Sequence, residues 1–191
     1  MRNAIVLDIE TQNSFDEVGS RDPKALKISL VGVYFYNTGE YRTYLESELP
    51  ALFKQLEGVE RVIGFNLKGF DYPVMSRYWP QIYKIQYLDI MEEMGFFLGR
   101  RCSLNSVARA TLDTSKSGDG LEAIQLWRRG EISKLKSYCL DDVRITKEVY
   151  EYGLIHSELL TTNFNGEKIK VPVNFKKHTV QSAAINLQLT F

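Results

Sequence analysis

Ala4-Ile5-Val6-Leu7-Asp8-Ile9-Glu10-Thr11 is apolar on both faces up to Leu7 and then acquires two acids. A β-branched run with no polar face reads as a central strand, Ala4 to Ile9, covered on both sides. Side chains alternate along a strand, so Asp8 and Glu10 project from one face and Leu7 and Ile9 from the other. Two adjacent acids at a strand end repel each other, an arrangement made tolerable by a cation between them. The plainer alternative is a strand running out into solvent.

A third acid is singled out by helical phase. Glu131 to Tyr152 is the strongest helical pattern in the chain. Leu135, Tyr138, Asp142, Ile145, Val149 and Tyr152 follow steps of three and four and share one face. Lys134, Ser137, Asp141, Arg144 and Glu148 form a polar face. The spacing therefore turns Asp142 inward beside Tyr138 and leaves Asp141 to solvent. An inward acid is costly unless it is paired or metal-bound, so a hydrogen-bonded Asp142 stays open as the alternative.

Asn66-Leu67-Lys68-Gly69-Phe70-Asp71 spans a junction between a short strand, Val62 to Phe65, and a helix, Phe70 to Tyr78. Such a turn can bring Asp71 near the first strand. An Asn five residues before an Asp carries little weight alone; its place between the other two motifs gives it weight. Oxygen donors from Asp8, Glu10, Asp71 and Asp142 suit Mg²⁺ or Mn²⁺ rather than zinc. Two such ions would clamp a scissile phosphate. Tyr138, one turn before Asp142, is placed to orient the attacking water.

The remaining pattern supplies Ile28 to Tyr36 and Tyr41 to Leu45 as strands that form an antiparallel meander with the first. Gln12 to Lys24 reads as a loop. Helices are expected over Glu48 to Leu56, Leu88 to Leu98, Leu104 to Ala110 and Leu121 to Arg129, the last capped by Asp119. Beyond Gly153, Asn165-Gly166 signals a hairpin between Glu158–Phe164 and Lys168–Val173. Thr179 to Leu187 reads as a small helix. At 191 residues the expectation is a single domain, with residues 1–152 as core and 153–191 as a hairpin extension.

Composition narrows the class. Lys and Arg total 24 against 24 Asp and Glu, so no global field attracts nucleic acid. Arg100-Arg101 and Arg128-Arg129 could hold phosphates, but they read first as solvated surface. Cys102 and Cys139 are too few for a disulfide framework or zinc site and fit a reducing cytosol. With neither a signal peptide nor an apolar run near ~20 residues, the expectation is a soluble cytoplasmic protein. His156 and His178 read as structural or surface residues, and the cluster Tyr34-Phe35-Tyr36 as core and strand packing. Asp89 reads as a cap rather than a ligand.

These motifs resemble the DEDD exonucleases of the ribonuclease-H-like, DnaQ-like superfamily. Asp8-Ile9-Glu10-Thr11 matches the first motif, Asn66 to Asp71 the second, and Tyr138-Cys139-Leu140-Asp141-Asp142 the third in its tyrosine (DEDDy) form. The likeness covers Arg2 to about Tyr152. Ser103 to Val107 and Gly118 to Leu121 are similar to YprB-type domains, and family B polymerase exonuclease domains are also similar. The resemblance implies an α/β ribonuclease-H-like fold: a central mixed sheet with three antiparallel strands and flanking helices, here with a C-terminal hairpin. It implies 3′→5′ release of nucleoside monophosphates from a single-stranded 3′ end, with Thr11, Asn66 and Phe70 contacting the terminal nucleotide. DNA is favoured over RNA. A 3′→5′ exoribonuclease and a non-catalytic nucleic-acid-binding module are the alternatives, and a helicase or polymerase on a separate chain is a candidate partner.

Overall fold

The computed structural model describes residues 3–114 and 120–176; Asp119, His178 and the Thr179–Leu187 segment lie outside them. Along the chain come β1 (Ala4–Thr11), α1 (Phe15–Val18), β2 (Ile28–Phe35), β3 (Glu40–Leu45), α2 (Leu49–Leu56), β4 (Arg61–Gly64) and α3 (Asp71–Ser76). There follow β5 (Gln86–Asp89), α4 (Ile90–Leu98), α5 (Leu104–Leu112), α6 (Gly120–Arg128), α7 (Ile132–His156), β6 (Glu158–Thr162) and β7 (Lys168–Pro172). Two compact units result. The first comprises Met1–Asp89 and Lys116–Lys147, the second Ile90–Ser115 and Glu148–Phe191.

The first unit holds a five-stranded mixed sheet in the order β3-β2-β1-β4-β5. β1 pairs antiparallel with β2 and parallel with β4, so the doubly apolar strand is the central one. Ile5, Leu7 and Ile9 join a core with Leu49 and Leu52 of α2 and Val74 and Met75 of α3. On the opposite face Leu30 of β2 packs with Ala123 and Leu126 of α6 and with Leu135, Tyr138 and Cys139 of α7. Each fully buried aliphatic side chain contributes about 1.5–3 kcal/mol. Alternation then sends Asp8 and Glu10 to the α6/α7 face, because Asp8 lies opposite Gly32 and Glu10 opposite Leu30.

The end of β1 is fastened by a polar network. Gln12 donates to the Ile28 carbonyl (2.8 Å) and to Glu46 (2.7 Å). The Tyr78 hydroxyl donates to Glu46 at 2.7 Å and accepts the Ile28 amide at 3.1 Å. Burial and the Glu46 carboxylate push the Tyr78 phenol up to about 12.

Two expectations change here. The Gln12–Lys24 segment contains α1, started by a capping box between Ser14 and Glu17 and stopped by Gly19 at φ 61°. Leu88 and Asp89 are not helical. They end β5, which pairs in parallel with β4 from Arg61↔Gln86 to Gly64↔Asp89. Four residues are too few to show alternation, so pairing rather than local pattern decides this strand.

In the second unit β6 and β7 form the expected antiparallel hairpin. Of Asn165-Gly166 only Gly166 has positive φ, at 80°. Asn163 therefore organises the turn: its side chain accepts the amides of Asn165 (2.9 Å) and Glu167 (3.0 Å). The Thr111 hydroxyl of α5 bonds both the amide and the carbonyl of Leu160, each at 3.0 Å. Tyr150 of α7 stacks on Phe175 at 5.4 Å.

Candidate functional site

The acids of β1 sit where the strand ends irregularly. Its register with β2 shifts between Glu10 and Thr11, a bulge of the kind that re-aims side chains at strand ends. Asp8 is half-buried, whereas Glu10 and Thr11 are buried.

α7 settles the choice between neighbouring aspartates as its period predicts. Asp142 is 1 % exposed. Asp141 points outward and pairs with Arg144 at 2.6 Å. Tyr138, one turn earlier, is also buried.

Asp71 is the first residue of α3. The turn before it depends on Asn66 at φ 70°, whose carbonyl accepts the amides of Gly69 (3.1 Å) and Phe70 (2.9 Å). A Cβ on Gly69 would come within 2.5 Å of the Asn66 side-chain oxygen, which explains the glycine. Asp89 braces the turn from β5 by accepting the amides of Asn66 (2.8 Å) and Lys68 (3.1 Å). Asp89 thus acts on backbone amides, in keeping with a cap.

The acids feel one another. Burial, then the charge of Asp8, pushes the Asp71 carboxyl well above the usual carboxylate range. Its own amide and that of Ile9 pull it back in part, and Asp89 pushes it further up. Asp8, at the end of β1, and Asp71, at the start of α3, therefore share one electrostatic site.

Sequence reasoning missed Cys139 in this setting. Its thiol is fully buried and lies 3.8 Å from both the carbonyl and a carboxylate oxygen of Asp8. Burial pushes it well up, followed by the charges of Asp8, Glu10 and Asp142. Asp8 and Glu10 thus gather with this sulfur, and the charge of Asp142 is also felt there. A Cβ on Gly32 would lie 2.7 Å from that sulfur, so glycine lets α7 settle onto the sheet. The signal available was the row Cys139, Val143, Thr146, Tyr150, which widens the inward face at helical spacing.

Thr11 and Phe70 line one largely apolar cleft of about 300 Å³ together with Phe15, Leu121 and Ile124. Phe15 meets Phe70 edge-on at 6.2 Å, and the Thr11 hydroxyl donates to the Asn13 carbonyl at 3.0 Å. Asn66 is not among the lining residues; it shapes the turn instead. A second hollow of about 570 Å³ is lined by Ser133, Ser137, Tyr138 and Asp141. A third, at Asn3, Phe35 and Arg42, adjoins the start of β1 and includes none of the acids.

The sequence profile of the RNase H superfamily matches residues 5–153. The chain belongs to the RNase H superfamily. No curated protein matches it. Among solved structures it is similar to the family B DNA polymerase of the hyperthermophilic archaeon Pyrobaculum calidifontis, with 19 % identity and a TM-score of 0.62. That likeness covers 79 % of this chain and 24 % of the polymerase, and it concerns the fold.

Within this RNase H superfamily member, Asp8, Glu10 and Cys139 offer ligand atoms that all lie within 4.8 Å of one another, a group able to hold a metal ion. The oxygen donors suit a hard divalent cation. The upward push on Asp71 comes first from burial and then from the charge of Asp8, with Asp89 adding to it, and a nearby cation would oppose it. Other signals are structural. Arg128 pairs with Glu17, and Arg129 with Glu131 at 2.7 Å. Phe35 is in the core, while Tyr34 packs against Tyr36 and Tyr41 on the other face. His156 is exposed, its ring 4.1 Å from that of Tyr152. Among the described residues no helix is long and apolar enough to cross a membrane.

Proposed function

We propose that this chain is a metal-dependent 3′→5′ exonuclease of the DEDDy type that acts on single-stranded nucleic acid, DNA in preference to RNA. The observation that carries the reading is the gathering of Asp8 and Glu10 of β1 with Cys139 of α7, their ligand atoms all within 4.8 Å of one another. Asp8 acts on Asp71, and Asp8, Glu10 and Asp142 all act on the thiol of Cys139. Superfamily membership supports nuclease chemistry.

Asp8, Glu10, Asp71 and Asp142 would hold two ions, Mg²⁺ or Mn²⁺. When bound, these supply the positive charge that activates the attacking oxygen and steadies the departing one. The chain's own residues do the rest. Tyr138 stands one helical turn from Asp142 and orients the attacking water through its hydroxyl, a positioner rather than a base because a phenol holds its proton at neutral pH. Thr11 and Phe70 hold the terminal nucleotide in their shared cleft, the ring packing on the base and the hydroxyl bonding the sugar. Asn66 serves by fixing the turn that delivers Asp71.

Single strands labelled at the 5′ end, DNA and RNA in parallel, test the reading with Mn²⁺. A ladder shortening from the 3′ end and released nucleoside monophosphates are expected, more on DNA. Asp142→Ala should lower the rate by about 100-fold or more. Undiminished activity in that variant would overturn the assignment.

A further inference from the structure

The hairpin and α4 carry none of the candidate acids, yet they carry conspicuous apolar exposure. Phe164 in the hairpin turn is 91 % exposed, and Phe96 and Phe97 on the last turn of α4 are 79 % and 59 % exposed. Burying a phenylalanine stabilises a fold by about 1.5–3 kcal/mol, which these positions forgo.

Phe164 is not left to wander. Asn163 fixes the turn through the amides of Asn165 and Glu167, and its own amide bonds the Glu167 carbonyl at 2.9 Å. Arg100, three residues after Phe97, places its guanidinium 4.6 Å from the centre of the Phe164 ring. The guanidinium is itself held by the carbonyls of Thr162 (2.8 Å) and Arg101 (3.4 Å). A ring is thus pre-oriented in water by a cation beneath it.

Among the described residues, Arg100 lacks the carboxylate partner that several surface cations have. Arg42, Arg128, Arg129, Lys168 and Lys170 each meet a carboxylate. Among the described residues the contacts of Arg100 are carbonyl oxygens and a ring, so its charge is not neutralised. An exposed planar ring over an un-neutralised guanidinium is complementary to a ligand with a flat face and an anion attached to it. A nucleobase with its phosphate has that form.

We propose that Phe164 and Arg100, with Phe96 and Phe97 at the end of α4, form a stacking site for single-stranded nucleic acid, distinct from the cleft of Thr11 and Phe70. The inference rests on the nuclease reading for its choice of ligand. Aromatic stacking tolerates any base, so the site adds affinity for a strand without selecting sequence.

Fluorescence anisotropy with a labelled oligothymidylate in EDTA tests it on the full chain, with hydrolysis of thymidine 5′-(p-nitrophenyl) phosphate as a second readout. Phe164→Ala should weaken strand binding about tenfold, and Arg100→Ala should weaken it and flatten its salt dependence. Both should leave hydrolysis of the small ester unchanged, and Phe164→Ala should leave the melting temperature unchanged as well, the ring being exposed. Tyr83→Ala, an exposed aromatic of the first unit, should bind as the parent does. Wild-type strand affinity in Phe164→Ala would overturn the stacking site. A parent chain that hydrolyses neither ester nor strand would overturn the nuclease reading instead, and the binding arm would still decide the stacking site.

Discussion

Asp71 and Asp89 are equally buried, at 3 % exposure each, but the two regions that hold them differ in what faces the carboxylate. At the turn, Asp89 receives backbone amides from Asn66 and Lys68. At the carboxylate site, Asp71 receives its own amide and that of Ile9, but burial comes first and the charges of Asp8 and of Asp89 itself add to it, so its carboxyl rises well above the usual range. Burial of an acid therefore does not mark a ligand. An acid met by donors holds structure together, whereas acids gathered against one another need a cation from outside.

The largest effect expected from this contrast lies at the turn. Asp89→Ala leaves two amides without their acceptor and should cost about 2–4 kcal/mol of stability by chemical denaturation. A loss under about 0.5 kcal/mol would erase the distinction. Next in size, Gly32→Ala pushes a methyl toward the Cys139 sulfur beside the cage and should cost about 1–3 kcal/mol, with weaker metal affinity.

The smallest effect has the opposite sign. In EDTA, Asp71→Asn should raise the melting temperature at neutral pH by a few degrees, because it removes a charge that burial and Asp8 disfavour. Between the ordinary value of 3.8 and its raised folded value, Asp71 keeps a proton in the folded chain that the unfolded chain releases. That contribution is complete below the ordinary value of 3.8 and is lost as pH rises through the folded value. The parent should therefore lose stability over that window and Asp71→Asn should lose less. Equal slopes would break the comparison.

Legibility in the sequence followed the length of each repeat. α7 runs long enough for its 3.6-residue period to separate Asp142 from Asp141, and β1 long enough for alternation to put Asp8 and Glu10 on one face. β5 has four residues and no readable period, so Asp89 could be read only as a cap near a junction, not as the brace of a turn 21 to 23 residues earlier. Cys139 lies beside the inward stripe rather than on it. Its approach to Asp8 depends on the missing Cβ of Gly32, far away in sequence. The α1 turn was legible in Ser14 and Glu17, whose capping-box spacing lay inside a stretch otherwise polar enough to pass for loop. Thr11 and Phe70 came from family resemblance, and their shared cleft could not be read from spacing because it needs Leu121 and Ile124 as well.

Isothermal titration of Mn²⁺ into the metal-free chain tests most directly whether the gathered acids form a cation cage. Two ions per chain are expected for the parent, with affinity falling by about 10-fold or more in Asp8→Asn and Asp142→Asn and holding in Asp141→Asn. Equal binding in all four proteins, or none in the parent, would contradict the cage.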